Sequence, residues 1–220
     1  MAEATVFIID LLMTFDEAIS RLGVTIDRDD LEATYPDYIN EALIDIADRH
    51  SFDQMKREGA VTIGAGTLST LLPEGFKEFQ NGRYPMALAG VLVPVYNRSE
   101  LDGVIASFRP DPHLIFTQDD DASTISAPTT TPLDRDYTVY YFSYPGMLGS
   151  GGDDVDLDYI GQALLDKYPE LVLEKAAEIG FKSINDPAFK MHEVNYATDL
   201  FALTRIDIRK SNPRKDEKKE

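Results

Sequence analysis

Cysteine is absent from the 220 residues, which excludes a disulfide framework, a thiolate metal site and a cysteine nucleophile. Histidine is scarce: His50, His113 and His192 stand far apart, and none has the spacing of metal ligands. Positive charge is outweighed, with 21 Lys and Arg against 39 Asp and Glu and a formal net charge of -18. Residues 205–220 hold seven of the cations and four of the acids, so the tail carries +3 and residues 1–204 carry -21. An acidic body opposes tight sequence-independent binding to DNA, which needs cations to displace counterions from phosphates. It suits either a wall that DNA slides past or simple solubility. No long apolar run occurs: Val6 to Met13 is broken by Asp10, and the start lacks a basic region. That predicts neither a signal peptide nor a membrane span, and a cytosolic product.

Catalytic motifs are lacking too. The glycine-rich run Gly146 to Gly152 has no Gly-Lys-Ser/Thr after it, so the lysine and hydroxyl of a phosphate loop are missing. Asp154, Asp156 and Asp158 alternate as in a calcium loop, but Tyr159 stands where the glycine is needed and Leu165 where the bidentate glutamate is. Carboxylates ahead of a helix also meet the positive end of its dipole. No Ser-His-Asp or Gly-x-Ser-x-Gly arrangement can be assembled.

What is present is a strong pattern between Pro36 and Phe79. Ile39, Leu43, Ile46 and His50 recur at helical spacing, with Ala42 and Ala47 beside them, and predict an amphipathic helix with one buried stripe. The period then changes to two at Val61-Thr62-Ile63, Gly64 to Thr67 supply a turn, and Leu68 to Leu72 resume an apolar run. A hairpin is expected there. Before this stretch, residues 3–22 read as a first helix capped by Gly23, followed by a polar link over Thr25 to Asp30.

After Phe79, Met86–Tyr96 is rich in apolar and β-branched residues, strands are expected at Leu114–Thr117, Thr124–Ser126 and Tyr137–Tyr144, and a short helix over Ser99–Phe108. Asp119 to Asp121 and Ala122 to Thr131 read as a low-complexity link at a hairpin tip. The alternation in Tyr137–Tyr144 leaves open whether Tyr137 and Tyr141 or Tyr140 and Phe142 face inward. Helical signals return at Asp158. Pro169 opens a helix with Leu173, Ala176, Gly180 and Ile184 on one face, widened by Leu171, Val172, Ala177 and Phe181, and Asp186-Pro187 opens another. That last helix places Met191, Val194, Ala197, Phe201, Thr204 and Ile208 on one stripe, and the charged end past Pro213 has no apolar residue.

The order and spacing of Asn40-Glu41-Ala42-Leu43 and Leu72-Pro73-Glu74-Gly75-Phe76-Lys77 resemble the head-to-tail connector adaptors of tailed bacteriophages, the neck or head-completion proteins. Leu165 to Leu171 and Ala176-Ala177 extend the resemblance, which covers roughly residues 30–80 and 158–210 and leaves residues 81–157 unmatched. It implies a structural virion protein, not an enzyme, without cofactor or metal. Such a protein forms a ring, usually of twelve copies, below the portal protein and above a tail or nozzle protein. DNA passes through it without tight binding, and it sits in the virion neck after assembly from the host cytoplasm, with no membrane contact. The portal-binding positions implied are Arg205, Arg209, Lys210, Arg214 and Lys215.

The fold expected is α+β. Residues 1–59 and 158–210 form a helical bundle, 60–157 a β-rich insertion and 211–220 a flexible charged tail. Two other readings stand beside the adaptor: a metal-binding enzyme using Asp154, Asp156 and Asp158, and a monomeric acidic binding protein. Asp45, Asp48 and Asp53 face either a channel or solvent.

Overall fold

A computed structural model describes residues 12–80, 92–95, 114–119, 122–126, 132–149 and 155–211. The expected helix over 99–108, most of the apolar run Met86–Tyr96, and His113, Asp154, Arg214 and Lys215 lie outside these residues. Among the described residues the chain has five α-helices and seven strands, a mixed α+β content. Contacts divide it into two compact units, Met1–His50 with Pro145–Glu220, and Ser51–Tyr144.

The first unit is helical. Thr14 caps α1 (Phe15–Ile26), its hydroxyl accepting the Glu17 N–H at 3.2 Å, and Asp16 and Glu17 meet the positive helix end. Ala18, Leu22 and Ile26 repeat every fourth residue and are buried. The helix does not stop at Gly23 as its glycine suggested. It runs on to Asp27, which takes the left-handed conformation (φ 52°) and returns its N–H to the Gly23 carbonyl at 2.8 Å. Gly23 serves packing instead: a Cβ there would stand 3.3 Å from the Tyr35 ring.

Of the polar link expected over Thr25–Asp30, Thr25 and Ile26 belong to α1 and its end opens a 3-10 helix, Asp29–Thr34, whose last residue leads directly into α2 (Tyr35–Arg49) with Pro36 in the first turn. Tyr35 ties the joint by donating its hydroxyl to the Arg28 carbonyl at 2.6 Å. Ile39, Ala42, Leu43, Ile46 and Ala47 are buried, as their spacing predicted. His50 leaves the stripe: it is the C-cap, in extended backbone and only half-buried.

Helix α3 (Val155–Lys167) begins before Asp158. Positions 156 and 158 therefore stand about 200° apart around one helix and do not alternate along a ligand loop. A one-residue break at Tyr168 leads into α4 (Pro169–Ser183), which buries Leu171, Val172, Ala176, Ala177, Gly180 and Phe181. Bare backbone at Gly180 lets α4 approach its neighbours closely, since a Cβ there would lie 2.5 Å from Ile26 Cδ1 and 3.3 Å from Tyr38 Cδ2. Asn185 (φ 55°) turns the chain, Asp186 Oδ1 accepts the Ala188 N–H at 2.8 Å, and α5 (Phe189–Ser211) follows. Between the segments, buried Asn40 of α2 makes two bonds to the Leu148 backbone: its amide donates to the carbonyl at 3.1 Å and its oxygen accepts the N–H at 2.8 Å.

The second unit is built on strands. β1 (Lys56–Ile63) pairs antiparallel along its whole length with β7 (Arg135–Ser143), from Lys56 opposite Phe142 to Ile63 opposite Arg135. β3 (Phe76–Phe79) takes the other edge of β7, with an irregularity between Phe76 and Glu78. The turn ahead of β3 needs Gly75, at φ +70°. The inward face of this three-stranded sheet is Val61, Ile63, Tyr137, Val139 and Tyr141 with Leu72, and Phe76 and Phe79 pack against it. That answers the alternation left open in the sequence: Tyr137 and Tyr141 face the core, while Phe142 is buried outside that cluster.

The hairpin expected after Val61 to Ile63 does not form. The turn is there, with Gly66 at φ +76° and the Thr67 N–H on the Gly64 carbonyl at 3.0 Å. Yet β2 (Ser69–Leu71) joins a second, four-stranded sheet, in the order β2-β6-β5-β4, where β6 is Ala122–Ser126, β5 Leu114–Asp119 and β4 Leu92–Val95. β7 offers β1 eight paired residues where β2 has only three, so the long ladder wins the partner. The strand expected at Thr124–Ser126 begins at Ala122, inside the expected link, and pairs antiparallel with β5, and β4 lies parallel to β5.

Candidate functional site

Helix α5 carries three of the five candidate docking positions, Arg205, Arg209 and Lys210, and its anchoring can be followed residue by residue. Its buried stripe is not the one read from the sequence. His192 and Tyr196 are buried and Leu200 and Leu203 half-buried, so the stripe facing α4 runs 192, 196, 200, 203. Met191, Val194 and Phe201, expected to be inside, are 58%, 64% and 63% exposed. They lie on the opposite side of α5, as the helical angle requires. The sequence held two apolar stripes, and the more conspicuous one faces out.

A polar network holds the inner stripe. Tyr196 donates its hydroxyl to Asp45 Oδ2 at 2.8 Å, joining α5 to α2. Asp45 is also bound by Arg49 at 2.8 Å and lies 3.4 Å from Lys175 Nζ of α4. Lys175 reaches Glu178 at 3.2 Å and sits 5.0 Å from the centre of the Tyr196 ring, a cation over an aromatic face. Glu178, almost fully buried, is held by Lys182 as well, and Lys182 extends to Glu193 of α5 at 3.6 Å. Beside this, His192 Nδ1 lies 2.7 Å from Glu174 Oε2, and its ring stacks on Phe181 at 5.2 Å. Each charge of this network thus has a partner, as the cost of burying a lone charge demands.

The network sets the protonation of its members. Burial opposes ionisation of Asp45, but hydrogen bonds from Arg49 and Tyr196 and the charge of Lys175 outweigh it and hold the carboxyl below its ordinary range. Burial, and then the bond to Asp45, push the Tyr196 hydroxyl well above the ordinary phenol value. The tie is therefore a neutral phenol donating to a carboxylate.

Beyond the inner stripe, a groove of about 460 Å³ opens where α1 meets α4, lined by Val24, Leu173 and Ala177, by Glu17, Glu170 and Glu174, and by Arg21, with His192 at its edge. Of the positions implied for portal binding, Arg205 is exposed, its guanidinium 5.6 Å from the Phe201 ring, and Arg209 and Lys210 fall within α5. The acids left open between channel and solvent are partly accounted for. Asp45 is consumed by the network, and Asp53 pairs with Lys56 at 2.6 Å on an exposed surface. Among the described residues no group of three or more His, Asp or Glu could hold a metal ion. Nor is any helix among them long and apolar enough to cross a membrane.

The geometry is thus of a helix clamped along one side and apolar along the other. The sequence matches the family described as SU10 adaptor protein over residues 13–215. The chain belongs to the SU10 adaptor family. It is a tailed-phage adaptor, a structural head-tail protein of the virion rather than a member of an enzyme class. No curated protein matches it significantly. The match spans both units of the adaptor, including residues 81–157, where the sequence alone carried no resemblance.

Within the adaptor, the residues that sequence reasoning missed are Lys175, Glu178, His192 and Tyr196. A usable signal existed for two of them: His192 and Tyr196 are four apart, a helical pair of half-polar side chains suited to a buried face that has partners. Lys175 and Glu178 lay hidden in an apolar helix, where charge usually marks solvent.

Proposed function

We propose that this adaptor assembles as a ring, in twelve copies, at the neck of the virion. The ring joins the portal protein of the head to the tail or nozzle protein below and lines part of the DNA channel. The helices act as one bundle that builds the ring, with the β-rich region an insertion between them in the sequence. Family membership supports association with portal and tail proteins. The observation that carries the finer reading is α5: one side fixed by the Asp45–Tyr196 network, the other presenting Met191, Val194 and Phe201 to solvent and leading into the basic positions from Arg205 on. An apolar helix face of this kind in an otherwise acidic protein marks a protein contact.

The positions Arg205, Arg209, Lys210, Arg214 and Lys215 grip the portal. The net charge of the body, -21 over residues 1–204, keeps passing DNA from adhering to the channel wall. The test is negative-stain imaging of the protein mixed with the portal ring encoded in the same genome. A collar of matching symmetry on one end of the portal is expected; a bare portal beside monomeric protein overturns the reading. Truncation after residue 204 is expected to leave a folded monomer that no longer binds the portal, and undiminished binding rejects the assignment of the basic positions.

A further inference from the structure

The exposed face of α5 and the groove between α1 and α4 are complementary, and both belong to the helical unit. We propose that Met191, Val194 and Phe201 of one copy seat in the Val24–Leu173–Ala177 groove of the next copy, forming the contact by which the chain associates with itself. The inference rests on the ring reading and names the surfaces that build it.

Three observations lead there. The first is shape and polarity. Met191, Val194 and Phe201 fall within about 80° around α5 and form a ridge. The groove has an apolar lining in which Val24 is 82% exposed, an unusual position for a valine near the end of a packed helix.

The second observation is charge. Around α5, Lys190 and Arg205 flank the ridge, whereas Glu193 and Asp199 lie about 100° or more away from its centre. Glu193 is moreover drawn to Lys182 at 3.6 Å. The ridge therefore presents cations only. The groove offers Glu17, Glu170 and Glu174 against one cation, Arg21, so it is net acidic.

The third is direction. The ridge points away from α4, while the groove is formed by α4 with α1, so a copy can offer its ridge to one neighbour and its groove to another. Two different patches in contact make a head-to-tail interface, the kind that propagates from copy to copy, and forms a ring where its rotation closes, rather than stopping at a two-fold dimer.

The absence of cysteine makes the test clean, because only introduced thiols react. Val24→Cys and Val194→Cys are prepared in separate full-length copies, one carrying a tag that changes its size. Both sites are surface positions that leave the core intact. The copies are mixed in equal amounts and treated with a short bis-maleimide, free in solution and again on the portal. A mixed-size dimer is expected in at least tenfold excess over either self-linked product. A chain carrying both cysteines is expected to give a ladder of multimers. Asp199→Cys, on the same helix but off the ridge, should replace Val194→Cys with at least a tenfold loss of product.

Equal self-linking of Val194→Cys means that ridge meets ridge and overturns the proposal. Linking of Val194→Cys to a thiol introduced on the portal instead of to Val24→Cys assigns the ridge to portal docking and also overturns it. No mixed product, free or on the portal, does the same. Collar formation by the unmodified protein is scored separately: a collar without the cross-link defeats the interface and spares the adaptor reading, and a cross-link without a collar does the reverse.

Discussion

Replacing Tyr196 with Phe removes one oxygen and keeps the ring, so it isolates the bond that fastens α5 to α2. The hydroxyl donates to a carboxylate at 2.8 Å, and hydrogen bonds to charged groups contribute about 1.5–3 kcal/mol. Asp45 is about a quarter exposed and keeps Arg49 and Lys175 as partners, which lowers the expected loss to about 1–2 kcal/mol. For a chain of this size that is a fall in Tm of roughly 3–6 °C. Denaturant unfolding of the wild type, Tyr196→Phe, Asp45→Asn and the double variant gives the coupling directly, and about 1–2 kcal/mol is expected at neutral pH.

The pH dependence checks the mechanism. Asp45 has a folded-state pKa below its unfolded value, so its contribution is full above roughly pH 4 and is lost as pH falls through the depressed value. The coupling should fade in acid along that course. Tyr196 has a raised pKa, so its contribution holds below about pH 10 and declines as pH rises beyond it; Tyr196→Phe should unfold less readily in alkali than its neutral-pH deficit suggests. A coupling under 0.5 kcal/mol at neutral pH, or one unchanged in acid, refutes the claim that this pair anchors the helix.

Three further outcomes follow from the packing. Asn40→Ala leaves the Leu148 N–H and carbonyl without their side-chain partner in a buried site, and should cost about 2–3 kcal/mol by chemical denaturation. Gly180→Val places a branched side chain where even a Cβ meets Ile26 at 2.5 Å; about 1–3 kcal/mol of overpacking is expected, and Ile26→Ala in the same chain should recover part of it. Gly75→Ala puts a Cβ on backbone at φ +70° and should lower stability of the β unit by about 1 kcal/mol, read from the protection of β3 amides in hydrogen exchange.

The helices were legible because their periodicity is dense. Ile39 to Ala47 and Leu171 to Phe181 each present more apolar positions than one stripe needs, and burial follows wherever the backbone is helical. Helix ends were less legible. Gly23 looked like a stop, but glycine is equally what a helix uses to admit a neighbour's ring, and only the structure distinguishes the two uses. Strand existence was readable and strand partnership was not. Nothing local in Val61 to Leu72 says that β1 prefers residues 135–143 to the run a turn away, since pairing depends on the length of ladder available elsewhere. At α5 the apolar count misled. Met191, Val194 and Phe201 outscore His192 and Tyr196 in hydrophobicity, yet the latter are inside because Asp45, Glu174 and Lys175 provide them with partners. The site is visible in that inversion, and a single sequence carries no trace of those partners.

The bond between Tyr196 and Asp45 spans 151 residues of chain, and that between Asn40 and Leu148 spans 108. On a ribosome adding about 5–20 residues per second, α2 waits roughly 8–30 s after its own synthesis for the helix that completes it. The surface on α5 cannot exist before Phe201 has emerged. Until then a growing copy holds the groove residues of α1 and α4 but no ridge, so the half of the proposed contact that seats in a neighbour is made after the half that receives one.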